Sequence, residues 1–192
     1  MAYNTSNSNE LISRTYPQMA AATFANYMLY IMSDAFDDLT NMKINKLLYF
    51  AQGHYLSKYK KPLFQDAFEA WEHGPVIPSV YAKYKKYGDE PIKEYDIADI
   101  PEMPKEIDDI LFGIARKYGT LTASALRNKT HVVGSPWYQV YNGQRHTIIP
   151  TQMIQDYFSE STTTLEPIEK HFKDSDFVGY RDSEGYLVLP KE

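Results

Sequence analysis

The sequence predicts a mainly α fold (α+β): a single compact helical domain with a small β element and a C-terminal β-hairpin. Three observations lead there. The chain has 192 residues, 43% of them hydrophobic and 15% aromatic, enough to enclose one sizeable core. Apolar residues recur at helical spacing in several segments. Glycine and proline fall mainly at the joins between those segments, where they act as caps and turns. Residues 1–14, rich in Asn and Ser, read as a flexible tail, residues 15–160 as the helical domain, and residues 161–192 as a helix and hairpin packed on it.

The first helix is expected from Pro17 to about Ser33, with proline in its first turn and Phe24, Met28, Ile31, Met32 and Ala35 on one face. The second spans about Thr40 to Lys58. Thr40 suits its N-cap, and Ile44, Leu47, Leu48, Ala51 and Tyr55 make an apolar stripe that leaves Lys43, Asn45, Lys46 and Gln52 to face elsewhere. Pro62 ends that helix, and Phe64 to Trp71 alternates as a strand. Pro78 opens a third helix that Gly88 closes.

From Gly88 to Asp109 the chain carries nine carboxylates against two lysines and reads as a surface connection. It leads into a helix at about Lys105–Tyr118, followed by another capped by Thr120 or Thr122. His131 to Pro136 breaks the pattern. Ile154, Tyr157 and Phe158 mark a short helix, and one more follows Thr164. Asp182-Ser183-Glu184-Gly185 between two apolar-aromatic runs is the hairpin signal.

The bulk chemistry excludes more than it assigns. A net charge of −5 argues against direct nucleic-acid binding. With no cysteine there is no disulfide framework, thiolate metal site or cysteine nucleophile, which suits a reducing cytoplasm. The apolar stretches are too short to span a membrane. The histidines, His54, His73, His131, His146 and His171, show no metal-ligand spacing, so no metal is expected. Gly134-Ser135-Pro136 is not a nucleophile elbow, because proline follows the serine, and no phosphate loop occurs. Asp37-Asp38 and Asp108-Asp109 stand near helix starts, where they complement the dipole. No catalytic set and no cofactor site emerges. The tracts Lys58-Tyr59-Lys60-Lys61 and Lys83-Tyr84-Lys85-Lys86 read as solvated helix ends. Seventeen tyrosines suit half-buried positions and contact surfaces.

One join is unusually specific. Ala70-Trp71-Glu72-His73-Gly74-Pro75-Val76-Ile77-Pro78 sets a Gly-Pro turn between an apolar run and a helix, and Pro75 holds Gly74 away from the α region. With Leu39-Thr40-Asn41-Met42-Lys43-Ile44-Asn45-Lys46-Leu47-Leu48-Tyr49-Phe50-Ala51-Gln52 upstream, and Leu121-Thr122, Thr130-His131 and Ser135-Pro136-Trp137 downstream, it resembles the Panacea antitoxin domain, also described as SocA-like or phage-associated GepA-like. The resemblance runs from about Phe24 to Phe158. It implies a bacterial, cytoplasmic, non-enzymatic protein that neutralises a cognate protein toxin, encoded beside it, by direct binding.

An adaptor that hands a bound toxin to a protease or chaperone is the alternative the family offers. A small-molecule enzyme using His73 and His131 is a third, which requires those rings to converge on a pocket. The residues taken as partner contacts are Tyr49, Trp71, His73, Val76, Tyr81, His131 and Trp137. Core and turn roles compete with contact roles at Tyr49, Trp71 and Val76, whereas the polar tips of His73, Tyr81 and His131 fit exposed contacts better.

Overall fold

The computed structural model describes residues 19–144 and 146–160, and the backbone of two short strands beyond them. The N-terminal tail, Pro17 and the helix expected after Thr164 lie outside the described residues. Helix α1 (Ala21–Met32) presents Phe24, Met28 and Met32 to the core as the spacing predicts, but ends three residues short of Ala35, which is exposed. Helix α2 (Asn41–Tyr59) starts at the expected cap, where the Thr40 hydroxyl accepts a hydrogen bond from the Lys43 amide.

Helix α2 is the centre of the molecule. Every residue from Lys43 to Leu56 is buried, as is Asn41. Around it pack α1, helix α3 (Pro78–Tyr84), helix α4 (Lys105–Tyr118), helix α5 (Ala123–Thr130) and helix α7 (Thr151–Glu160), with helix α6 (Pro136–Val140) between α5 and α7. This overturns one expectation. Lys43, Asn45, Lys46 and Gln52 do not face solvent; all four are at most 2% exposed. A helix packed on every side has no solvent face to give them. Their polar atoms go to backbone groups, a carboxylate and the Asn41 side chain: Lys43 Nζ, for one, donates to Asp38 and to the Gly119 carbonyl.

The expected strand shortens to β1 (Phe68–Trp71), the middle of a three-stranded antiparallel sheet between β2 (Gly74–Val76) and β3 (Ile148–Ile149). Glu69 stands opposite both Val76 and Ile148. Residues 64–67 lie outside the sheet, and at their start Gln52 takes up the backbone, accepting from the Leu63 amide (2.8 Å) and donating to the Phe64 carbonyl (2.9 Å). Strands β4 (Tyr180–Arg181) and β5 (Leu187–Val188) pair antiparallel, as the hairpin signal requires.

The acidic stretch is pinned rather than loose. Ile92 is buried and donates to the Leu39 carbonyl, and Asp96 exchanges two hydrogen bonds with the Asn26 side chain of α1. It feeds α4 at the expected residue, and Thr122 caps α5 through the Ala125 amide.

Candidate functional site: a groove beside the Gly-Pro turn

Between the start of α2, the β1–β2 turn and α3 lies an open groove of about 770 Å³. Its floor comes from two asparagines one helical turn apart on α2. Asn45 Nδ2 donates to both the carbonyl and the side-chain oxygen of Asn41, and Asn45 Oδ1 accepts from the Ile77 amide (2.9 Å). Asn41 Nδ2 in turn donates to the Tyr81 carbonyl (3.1 Å). Two amides thereby fasten the first turn of α3, which its own sequence opens with Pro78 and no side-chain cap.

The Gly-Pro turn is held from below by Lys46, whose Nζ donates to the Pro75 carbonyl (3.0 Å). Gly74 adopts φ +98°, and a β-carbon there would stand 2.7 Å from both Lys46 Cε and Thr130 Oγ1. Only glycine meets both the dihedral and the space. From the side, His131 clasps the same turn. Its Nδ1 lies 2.7 Å from the Arg127 carbonyl and its Nε2 3.2 Å from the Glu72 carbonyl. The Thr130 hydroxyl also lies 3.1 Å from Nδ1. Trp137 adds an Nε1–H bond to the Trp71 carbonyl (2.7 Å), and its ring stacks on Tyr141 and lies against His131. Ser135 makes this possible by capping α6 while donating to the Thr130 carbonyl.

Electrostatically the floor is cationic and dry. Burial, with the Arg127 charge second, lowers the Lys46 pKa to about 7. Arg127 itself has a buried Nε with no hydrogen-bond partner. His131 is also pushed below its ordinary value, chiefly by desolvation; its contacts with the Arg127 and Glu72 carbonyls oppose the shift, and the Arg127 and Lys46 charges add to it.

The residues expected as contacts divide into three sets. Trp71, His73, Val76 and Tyr81 all line the groove, and Trp71 and Tyr81 meet edge to face at 4.9 Å. Tyr81 is 41% exposed, while Val76 shows 6% of its surface. His131 and Trp137 stand behind the turn and hold it. Tyr49 is 1% exposed within a cluster of Phe50, Phe68 and Phe158, so it offers a partner nothing; its spacing on α2 makes it core. Lys46 and His131 pin the turn, and His73 is exposed.

Sequence reasoning passed over Asn41, Asn45, Lys46, Arg127 and Tyr141. The usable signal was in α2, where apolar residues on every side of the helix leave no polar face. A lysine or asparagine there has to be buried and bonded. Among the described residues no group of three metal-ligating side chains occurs, and no helix is long and apolar enough to cross a membrane.

Comparison with known proteins adds two findings. Residues 44–138 match the family described as antitoxin SocA-like, Panacea domain. The chain is also 34% identical, over 138 residues, to a protein of Caulobacter vibrioides (strain NA1000 / CB15N) named Antitoxin SocA, covering 66% of this chain and 73% of that one. No solved structure matches.

Proposed function

The chain belongs to the SocA-like Panacea antitoxin family, and from that premise we propose that it neutralises a cognate protein toxin by direct binding in the groove beside the Gly-Pro turn. The observation that carries the placement is the lining itself. Trp71, Tyr81 and Tyr141 wall a concavity whose backbone is fixed by Asn41, Asn45, Lys46, His131 and Trp137. Rigid aromatic walls over a desolvated floor are what interface hot spots are made of, because little ordering remains to be done on binding.

A non-enzymatic role agrees with the state of the histidines. Both ring nitrogens of His131 face backbone carbonyls, so neither is free to work with His73. The protein acts in the cytoplasm, where its toxin is made.

The test is coexpression with the product of the adjacent gene in a bacterium. Growth restored together with a stable copurifying complex supports neutralisation by binding. Growth restored while the neighbour is degraded favours the adaptor alternative, with a protease or chaperone as a further partner. A neighbour that is harmless on its own and does not copurify removes the reading.

A further inference from the structure

Lys46 and Arg127 form a pair of cations without an anion. Lys46 is fully buried, lines the groove floor, and spends one of its three N–H donors, on the Pro75 carbonyl. Arg127, half-buried, stands on α5 one turn on from Ala123, and it is Ala123 that lines the groove. Its Nε is buried and has no hydrogen-bond partner. No ion pair joins either side chain among the described residues; Glu72, the nearest acid in the turn, supplies its carbonyl to His131. A buried ammonium beside a like charge is costly, and Lys46 Nζ and Arg127 Nε retain donor capacity aimed at nothing in the chain.

We propose that Lys46 and Arg127 are an anion-receiving site that takes an aspartate or glutamate carboxylate of the partner protein seated in the groove. For the identity of the partner this rests on the antitoxin reading. The chemistry favours a carboxylate over a phosphate. Glu72 and Asp89 line the same groove, and they repel a dianion more strongly than a single charge. A guanidinium edge also matches a carboxylate in shape. The aromatic walls then cover the rest of the bound segment and exclude water from the pair. With Lys46 held near pKa 7 by burial, an arriving carboxylate draws a proton onto the amine, and binding couples to proton uptake.

Two experiments decide it. In the first, the free full-length chain, isotopically labelled at lysine, is titrated by NMR with N-acetylglutamate at constant ionic strength, and with inorganic phosphate in parallel. The expected result is one lysine with a midpoint near 7 that moves upward with the carboxylate, an effect weakened about tenfold in Arg127→Gln. A Lys46 signal that does not respond, or that responds more strongly to phosphate, overturns the proposal.

In the second, Arg127→Glu and Arg127→Lys are compared for copurification with the adjacent gene's product. Circular dichroism and thermal unfolding of each free variant confirm that the fold survives. Loss of the complex in Arg127→Glu with retention in Arg127→Lys supports the site. A complex that survives charge reversal overturns it and leaves the antitoxin reading standing. If the unaltered chain does not bind the neighbour, that reading falls, and the NMR titration still decides whether the anion site exists.

Discussion

The ring of Phe158 occupies the space a side chain on Gly53 would need: a β-carbon there would lie 2.4 Å from both Cδ2 and Cε2 of that ring. Helix α7 lies directly on α2 because α2 has a glycine in its middle. In an ordinary helix, Gly→Ala gains about 1 kcal/mol from propensity alone. In this position the added methyl must displace an aromatic ring that also packs against Tyr49, Phe50 and His54. Gly53→Ala is therefore expected to destabilise by about 1–3 kcal/mol net, as overpacking does. Chemical denaturation measures it. The double variant Gly53→Ala/Phe158→Leu should recover part of the loss, and purely additive effects would rule out the contact as the cause.

Gln52 stands in for a strand. Its amide serves three backbone groups, the Leu63 and Phe64 amides and the Phe64 carbonyl, where the chain leaves α2 and turns toward β1. Gln52→Leu keeps the volume and orphans those groups in a buried place. The expected loss is roughly 2–4 kcal/mol, above that of a typical surface substitution. Amide exchange at Leu63 should accelerate in the variant; unchanged protection there would contradict the assignment.

Local signals carried the elements well, and one assumption limited the rest. Thr40, Thr122, Pro78 and Gly88 mark helix ends because capping and backbone restriction act within a few residues. The groove was half legible for the same reason: Trp71, His73, Val76 and Tyr81 belong to one short turn and the helix after it. Its floor was not. Assigning Asn45, Lys46 and Gln52 to solvent assumed that α2 has a wet side, and whether a helix has one is decided by five other helices from distant parts of the chain. Arg127 stayed hidden for the opposite reason. It sits on a short polar helix, and what marks it is the action of its charge on Lys46, 81 positions away in the sequence.

His54 predicts an acid limit to stability. Its ring is 6% exposed, packs against Phe158, and has Nε2 3.1 Å from the Tyr118 hydroxyl. Burial first, and the Lys117 charge second, lower its pKa from 6.5 to about 4. Between those values the unfolded chain binds a proton that the folded chain refuses. The stabilisation is fully present above pH 6.5 and is lost as the pH falls to 4, to a total of about 3 kcal/mol. His54→Gln keeps a partner for Tyr118 and does not titrate. Urea unfolding at stepped pH should show the wild type losing ground to His54→Gln across that window; parallel curves would refute the assignment.

Lys46 behaves in the same sense over a higher window, and this separates a structural lysine from one kept for a ligand. Its pKa falls from 10.5 to about 7 on folding. The unfolded chain therefore holds the extra proton between those values, and the stability Lys46 allows is greatest above pH 10.5 and declines as the pH is lowered to 7. Lys46→Met removes the titration, fills most of the volume and gives up the bond to the Pro75 carbonyl, a loss of about 1 kcal/mol. The variant is expected to gain on the wild type by up to about 1.4 kcal/mol per pH unit as the pH falls from 10.5 to 7, with the other lysines and tyrosines cancelling in the comparison. Unfolding at pH 7, 8.5 and 10 measures the difference, and a difference that does not change with pH would show that Lys46 keeps its ordinary pKa in the fold. If the free variant is the more stable protein at pH 7 yet binds its partner less well, the buried charge is retained for binding and not for folding.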